Sequence, residues 1–122
     1  MNDMKRLLIV DDALFMRKMI GGVAAEAGWE VVGEAGNGLE AILLYEQLRP
    51  DLVTMDLVMP EMGGLEALRR IRAADPDARV VVVTALDQKQ VLMDSIREGA
   101  IDFIVKPFER QRVLNLLAKL AG

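Results

Sequence analysis

Short runs of aliphatic residues recur along the chain and alternate with stretches in which the apolar residues lie three or four positions apart. Runs without polar alternation indicate strands buried on both faces of a parallel sheet, whereas the wider spacing indicates amphipathic helices. The pattern predicts strands at residues 6–10, 30–35, 52–55, 79–83 and 102–105. It predicts helices at residues 14–27, 64–74 and 88–98, another that begins at 36–38 and ends before Pro50, and a last one from residue 110.

The second predicted helix has a recognisable start. Asn37 is a residue type that caps helices, and Glu40 follows three positions later, which is the spacing of a capping box. Gly28 and Gly99 are predicted to end the first and fourth helices, since glycine adopts the left-handed conformation at little cost. The residues of the second helix predicted to face the core are Leu39, Ile42 and Leu43, with Tyr45 or Leu48.

The alternation of strands and helices predicts a single α/β domain. Crossovers between parallel strands are right-handed and place the helices on both faces of the sheet. The expected architecture is therefore a three-layer sandwich with a five-stranded parallel sheet and five helices. A chain of 122 residues is sufficient for one hydrophobic core and too short for a second folded unit. The pattern does not determine the order of the strands.

Polar residues that could act together in one site follow four of the apolar runs. Ligands of parallel sheets bind beyond the carboxyl ends of the strands, so these side chains are expected to converge at one edge of the sheet. Three carboxylates beside one ammonium form an excess of negative charge, which predicts a site for a divalent cation. In chain order the residues are Asp11, Asp12, Asp56, Thr84 and Lys106.

The composition excludes several classes of chemistry. The chain has no cysteine and no histidine, so disulfides, zinc–cysteine sites and histidine-dependent catalysis are absent. The formal net charge of −4 and the scattered basic residues argue against nucleic-acid binding. No apolar stretch of the sequence reaches membrane-spanning length, and we expect a protein of the cytoplasm.

Four sequence motifs carry a family resemblance. VDD ends at Asp12, MDLVMPEMGG at Gly64, VTA at Ala85 and DFIVKPF at Phe108. In this order and spacing, along the whole chain, they resemble the receiver domain of two-component response regulators, and most closely the stand-alone receivers of chemotaxis. The resemblance implies a flavodoxin-like sheet with strand order 2-1-3-4-5. It also implies one receiver domain over residues 1–122, without an attached output domain.

The resemblance implies a phosphorylation site at Asp56. A carboxylate in that position is a usable nucleophile towards phosphorus and forms an acyl phosphate. Mg²⁺ is the implied cofactor, held by Asp11, Asp12, Asp56 and the backbone carbonyl of Val58, because Mg²⁺ takes carboxylates together with phosphate oxygens. Within this set, Asp12 is implied to bind the ion directly and Asp11 to act partly through water.

The resemblance also implies which residues hold and transmit the phosphoryl group. Thr84 and Lys106 are implied to contact its oxygens through a hydroxyl and an ammonium hydrogen bond. Phe103 matches an aromatic residue that turns inwards on phosphorylation, and a buried strand residue is the alternative explanation of its position. The implied output face comprises helix 4, strand 5 and helix 5, with Lys89, Gln90, Ile101, Phe103 and Arg112.

The implied function is a phosphorylation switch that catalyses only its own phosphorylation and dephosphorylation. Its phosphoryl donor is expected to be the phosphohistidine of a histidine kinase, by resemblance a chemotaxis kinase. Its target is expected to be a protein such as a flagellar motor switch protein, and a separate phosphatase is expected to end the signal. We expect a monomer without nucleic-acid or membrane partners.

Several alternatives fit parts of the sequence. Taken singly, Asp12, Thr84 and Lys106 are each better explained by a structural role, and for Asp12 this role is the N-cap of the first helix. A phosphorelay intermediate or another single-domain receiver would use the same residues. A phosphatase of the haloacid dehalogenase type also uses aspartate, threonine, lysine and magnesium, but it carries its nucleophile in a DxD motif after the first strand. A flavodoxin-like electron carrier would require stacking aromatics, whereas aromatic residues make up 4% of this chain.

Three positions depart from the common family pattern. The loop after Asp56 reads MGG where many members read MDG, so Gly63 replaces an acidic residue. Val58 and Leu86, two residues beyond Asp56 and Thr84, are apolar. In family members with a polar side chain at these positions, water can be placed for attack on the acyl phosphate. The apolar side chains of this chain are expected to exclude that water more effectively, so we expect slow loss of the phosphoryl group.

Overall fold

The computed structural model describes residues 5–122, in which five strands alternate with five helices. Every predicted strand and helix is present, with bounds that differ by no more than two residues from those of the sequence pattern. None of these helices is long and apolar enough to cross a membrane. In chain order the elements are β1 (Lys5–Val10), α1 (Leu14–Glu26), β2 (Trp29–Ala35), α2 (Gly38–Leu48), β3 (Leu52–Asp56), α3 (Gly64–Ala74), β4 (Val80–Ala85), α4 (Lys89–Arg97), β5 (Asp102–Lys106) and α5 (Arg110–Ala121).

The five strands form one parallel sheet in the order β2-β1-β3-β4-β5, which confirms the order that the resemblance implies. The register aligns the strand ends: Val10 lies opposite Met55, and Asp56 lies opposite Val83. Thr84 lies opposite Val105 of β5. The residues at the carboxyl ends of β1, β3, β4 and β5 therefore share one edge of the sheet.

Two hydrophobic clusters lie on the two faces of the sheet. Leu8, Val10 and Met55 pack with residues of α2, α3 and α4 on one face. Leu7 and Ile9 alternate with them along β1 and pack with residues of α1 and α5 on the other face. Because side chains alternate across a strand, each continuous apolar run supplies both clusters. This arrangement confirms the predicted three-layer sandwich.

The orientation of α2 differs from the prediction. Asn37 caps the helix as expected, since its Oδ1 accepts a hydrogen bond from the backbone N–H of Glu40 at 2.9 Å. Leu39 and Leu43, however, are 50% and 55% exposed, so their predicted place in the core is wrong. The buried residues of the helix are Gly38, Ala41 and Tyr45, with Ile42 and Leu48 partly buried.

The cause is close contact between α2 and the loop after β3. The backbone N–H of Gly38 donates to the carbonyl of Met62 at 2.8 Å. A Cβ atom on Gly38 would lie 2.7 Å from Cγ of Met62, so no residue larger than glycine fits at this position. The face that carries Gly38, Ala41 and Tyr45 therefore turns to the core, and Leu39 and Leu43 point outwards.

Two glycines end helices as the sequence predicts. Gly28 follows α1 with a φ of 95°, and Gly99 follows α4 with a φ of 103°. Both values lie in the left-handed region, where a residue with a Cβ atom is strained. Each glycine therefore reverses the chain and leads it into the next strand.

Candidate functional site

Three carboxylates meet at the carboxyl-terminal edge of the sheet. Asp11 and Asp12 follow β1, and Asp56 is the last residue of the neighbouring strand β3. One carboxylate oxygen from each residue lies within 4.8 Å of the other two. Asp11 and Asp56 are 1% and 6% exposed, whereas Asp12 is exposed to solvent. The structure therefore brings these acids together, with one of them at the mouth of the site.

Lys106 joins two of these acids. Its Nζ donates to Oδ2 of Asp11 at 3.0 Å and to Oδ2 of Asp56 at 3.1 Å. Lys106 ends β5, and the long side chain reaches past β4 to Asp56 at the end of β3, and further to Asp11 after β1. Burial lowers the pKa of Lys106, but the hydrogen bond to Asp11 and the charge of Asp56 outweigh burial and raise the pKa above its ordinary value. The ammonium is therefore charged at neutral pH. The peptide bond from Lys106 to Pro107 is cis.

The hydrogen-bonding groups of Asp11 are held from several sides. Its backbone N–H donates to the carbonyl of Ala35 at 3.0 Å, and its Oδ1 accepts from the N–H of Ala13 at 2.9 Å. Its carbonyl accepts from Nη1 of Arg17 at 2.8 Å. Arg17 is not among the site residues that the sequence predicts. The available signal is an arginine in the first turn of α1, six residues beyond the first acid.

Asp12 does not cap α1. The residue that precedes the helix is Ala13, and no side chain caps this helix end. Within residues 5–122 the Asp12 carboxylate accepts no hydrogen bond, unlike the carboxylates of Asp11 and Asp56. The helix-cap alternative is therefore wrong, and the Asp12 oxygens are available to a cation.

The loop after β3 holds Asp56 from the other side. The backbone N–H of Val58 donates to Oδ1 of Asp56 at 3.2 Å, which places the Val58 backbone beside the carboxylate. Gly64 begins α3 against the same residue, and a Cβ atom on Gly64 would collide with the carbonyl oxygen of Asp56. Gly64 therefore allows α3 to approach the end of β3.

Thr84 and Phe103 lie on the next two strands. Thr84 is buried, and its Oγ1 donates to the carbonyl of Ala85 over a long distance of 3.4 Å. Its hydroxyl is therefore only weakly held. Phe103 packs against the cluster beneath α2, α3 and α4, and it also lines a groove of about 560 Å³ beside α5, together with Arg112 and Leu116. Phe103 thus belongs to the core and to a surface groove at once.

The environment of Asp56 opposes its charge. Burial and the charge of Asp11 raise the pKa of Asp56 above its ordinary value, and Lys106 offsets them only in part. Asp56→Asn is therefore expected to increase the free energy of unfolding of the metal-free protein at neutral pH, by roughly 1 kcal/mol. A carboxyl whose pKa is raised by folding favours the folded state only while it is protonated. The stability of the parent should thus fall as pH rises from the ordinary pKa of aspartate through the raised value, and Asp56→Asn should lack this decline.

Urea denaturation with EDTA, from about pH 3 to about pH 8, measures this difference. Asp77→Asn is the matched control, because it removes an exposed carboxyl between α3 and β4, at the opposite edge of the sheet. A parent that is more stable than Asp56→Asn across this range would contradict the repulsion inferred here.

Comparison with known proteins agrees with this geometry. The sequence profile of the response regulator receiver domain matches residues 7–118. The chemotaxis protein CheY of Listeria monocytogenes is 53% identical over 118 residues, which cover 97% of this chain and 99% of that protein. The chemotaxis protein CheY of Thermotoga maritima is 50% identical over 117 residues, which cover 96% of this chain and 98% of that protein. A chain in the crystal structure of the CheX–CheY–BeF3–Mg²⁺ complex from Borrelia burgdorferi has a TM-score of 0.89 and 34% identity, over 97% of this chain and 90% of that chain.

These matches include all the residues of the acid cluster and extend over nearly the whole chain. They favour a receiver over the phosphatase and electron-carrier alternatives. Receiver domains use a divalent metal at an acidic pocket, and three converging carboxylates form such a pocket here. The chain belongs to the response regulator receiver family and is a phosphorylation-activated signalling switch of the CheY type.

Proposed function

We propose that this chain accepts a phosphoryl group on Asp56 from the phosphohistidine of a chemotaxis histidine kinase. The observation that carries the proposal is the bridge from Lys106 to the carboxylates of Asp11 and Asp56, at 3.0 and 3.1 Å. The bridge brings a buried carboxylate nucleophile, Asp56, and a charged hydrogen-bond donor, the Lys106 ammonium, together in one acidic pocket. This pairing supports attack on phosphorus, because the ammonium can hold the incoming phosphoryl oxygens.

The acid cluster suits Mg²⁺ as its cofactor. Asp11, Asp12 and Asp56 offer hard oxygen ligands, and Asp12 has unused lone pairs. Mg²⁺ accepts one or two carboxylates together with phosphate oxygens and water, which leaves a place for the carbonyl of Val58. When bound, the ion would neutralise charge on the phosphoryl oxygens. Both carboxylate oxygens of Asp11 already accept hydrogen bonds, from Ala13 and Lys106, whereas the Asp12 carboxylate accepts none within residues 5–122. This difference supports direct binding by Asp12 and binding through water by Asp11.

In the proposed reaction a carboxylate oxygen of Asp56 forms a bond to phosphorus, and the bond from phosphorus to the imidazole nitrogen of the donor breaks. The electron pair of that bond returns to the imidazole, and an acyl phosphate remains on Asp56. Lys106 holds one phosphoryl oxygen through its ammonium, and Thr84 holds another through its hydroxyl. The chain thus catalyses only its own phosphorylation and, through water, its own dephosphorylation.

The proposed output is a change in the protein-binding face formed by α4, β5 and α5. Thr84 moves towards the phosphoryl oxygens, since its present bond to Ala85 is long, and Phe103 turns into the space that it leaves. The groove that Phe103 lines is the part of the face that this turn reshapes. The partner contacts are proposed to be Lys89, Gln90, Ile101, Phe103 and Arg112, all of them exposed except the partly buried Phe103.

The proposed target of this face is a flagellar motor switch protein. The support is similarity to chemotaxis CheY proteins along 97% of the chain. We propose that residues 1–122 act as one receiver domain, a monomer of the cytoplasm without nucleic-acid or membrane partners. A separate phosphatase is proposed to end the signal.

The acyl phosphate is proposed to be long-lived. Val58 and Leu86 lie two residues beyond Asp56 and Thr84, and they are 55% and 80% exposed. Apolar side chains at these positions offer no hydrogen bond that would hold water in line with phosphorus. Their exposure indicates that they leave water unoriented rather than seal it out. Slow hydrolysis is the physical reason for a phosphatase partner.

The protein is expected to take up the phosphoryl group, and to lose it slowly, when it is mixed with Mg²⁺ and a chemotaxis kinase that carries radiolabelled phosphohistidine. Label should leave the kinase and appear on this chain. After the kinase is removed, the double variant Val58→Asn with Leu86→Glu should lose label severalfold faster than the parent, because both new side chains can orient the attacking water. Autoradiography of gel samples taken over time measures both steps.

Leu39→Asn with Leu43→Glu is the matched control for the decay, since it places the same polar groups at exposed leucines of α2. This control should decay like the parent. A kinase that keeps its label in the presence of Mg²⁺ would contradict the proposed transfer. Equal decay of the parent and the Val58 and Leu86 double variant would contradict the argument about water.

A further inference from the structure

Arg17 connects the acid pair to the edge strand of the sheet. Its Nη1 donates to the carbonyl oxygen of Asp11 at 2.8 Å, and its Nε donates to Oε1 of Glu34 on β2 at 2.9 Å. The Arg17 side chain is 19% exposed, so most of it is shielded from water. One guanidinium therefore holds the end of β1 and the outer strand β2 at once, which requires the planar fork of arginine.

The carbonyl that Arg17 holds belongs to the peptide unit between Asp11 and Asp12. That unit is planar, so a fixed carbonyl direction also fixes where the Cα atom of Asp12 lies. The Asp11 side chain has its own bonds to Ala13 and Lys106. The Asp12 carboxylate has no such bond within residues 5–122. The direction of Asp12 therefore depends on its backbone, and Arg17 holds that backbone.

The charge of Arg17 does not by itself favour a cation at the acid cluster. A positive group beside a metal site repels the ion, and the pairing of Arg17 with Glu34 at 2.9 Å weakens this repulsion. Any support that Arg17 gives to cation binding is therefore geometric. The two effects differ in sign, because loss of the charge alone would strengthen cation binding.

We infer that Arg17 is a positioning residue for the cation site and acts through the peptide between Asp11 and Asp12. Glu34 is the second member of this device, since it holds the guanidinium in place. The inference rests on the proposed binding of Mg²⁺ by the acid cluster. Groups that orient metal ligands without touching the metal commonly change metal affinity by about tenfold or more.

Calorimetric titration with Mg²⁺ tests the inference, and urea denaturation without metal confirms that each variant folds. Arg17→Ala should weaken Mg²⁺ binding by roughly tenfold, although it removes a positive charge. Arg17→Lys keeps the charge but loses the fork, and it should weaken binding severalfold. Lys18→Ala removes the same charge from the next, exposed residue, and its affinity should stay within about twofold of the parent or increase.

Mg²⁺ binding by Arg17→Ala that equals or exceeds that of the parent would overturn the inference, as would parent-like binding by Arg17→Lys. A loss in Lys18→Ala as large as that in Arg17→Ala would also overturn it. Because Arg17→Lys retains the charge and the helix preference of the parent, it decides the matter if Arg17→Ala folds poorly. A parent that does not bind Mg²⁺ would instead contradict the proposed cation site, so the two failures are distinguishable.

Discussion

Incubation with acetyl phosphate and Mg²⁺ is expected to add one phosphoryl group to this chain, at Asp56, and Asp56→Asn is expected to abolish the addition. The Asp56 carboxylate lies 3.1 Å from the ammonium of Lys106, which stabilises the charge of the approaching phosphoryl oxygens. Asparagine fills the same space but lacks the anionic oxygen that attacks phosphorus. Mass spectrometry of the intact chain, and of the peptide that contains LVTMDLVM, measures the product and its position.

Asp77→Asn is the control for this experiment, because it makes the same chemical change at an exposed position outside the site. It should be labelled like the parent. Cooperative unfolding of Asp56→Asn in urea would show that the loss of label is not a loss of fold. Label that persists in Asp56→Asn, or that maps to Asp11 or Asp12, would mean that another carboxylate is the nucleophile.

The strands of this fold could be predicted because burial on both faces leaves a simple signal. Residues 80–83 are all valine and all buried, as is typical of an inner strand of a parallel sheet. The end of the same strand could not be predicted from this signal. β4 continues to Ala85, because Thr84 and Ala85 extend the ladder with Val105 and Lys106. Pairing with a neighbour, rather than hydrophobicity, sets this boundary.

The face of α2 could not be deduced from hydrophobicity alone. A period of three or four residues identifies a helix, but it does not state how closely the helix approaches its neighbour. The hydrogen bond from Gly38 to Met62 brings α2 against the loop after β3, and the face that carries Gly38 then turns inwards in place of the face with Leu39 and Leu43. Such a contact joins residues that are distant in sequence, so it belongs to the tertiary structure.

The convergence of the site residues at one edge of the sheet was predictable, whereas the hydrogen bonds between them were not. Parallel strands end at one edge, and this rule alone places Asp11, Asp56 and Lys106 near one another. The bridge from Lys106 to both acids depends on the reach of a long side chain past β4, which no spacing in the sequence expresses. Arg17 lies on a helix, and Gly64 contributes only its backbone. A search for polar residues at strand ends therefore finds neither.

Asp12→Ala is expected to weaken Mg²⁺ binding by roughly 100-fold, because it removes a proposed ligand of the ion. Groups that only orient metal ligands reach this value at the upper end of their range. Asp12 is the exposed member of the acid cluster, and its carboxylate has no competing hydrogen bond within residues 5–122. Without metal the substitution relieves repulsion among the carboxylates, so the free energy of unfolding should stay the same or rise slightly. Calorimetric titration measures the affinity, and urea denaturation with EDTA measures the stability.

Linkage between binding and folding gives a second readout of the same loss. A ligand that binds only the folded chain stabilises it by an amount that grows with the ratio of ligand concentration to Kd. Mg²⁺ should therefore raise the melting temperature of the parent and of the control Asp77→Ala, and leave that of Asp12→Ala nearly unchanged. Parent-like affinity in Asp12→Ala would remove Asp12 from the ligand set. The ion would then have to be held by the two buried acids, whose carboxylates Lys106 already bridges.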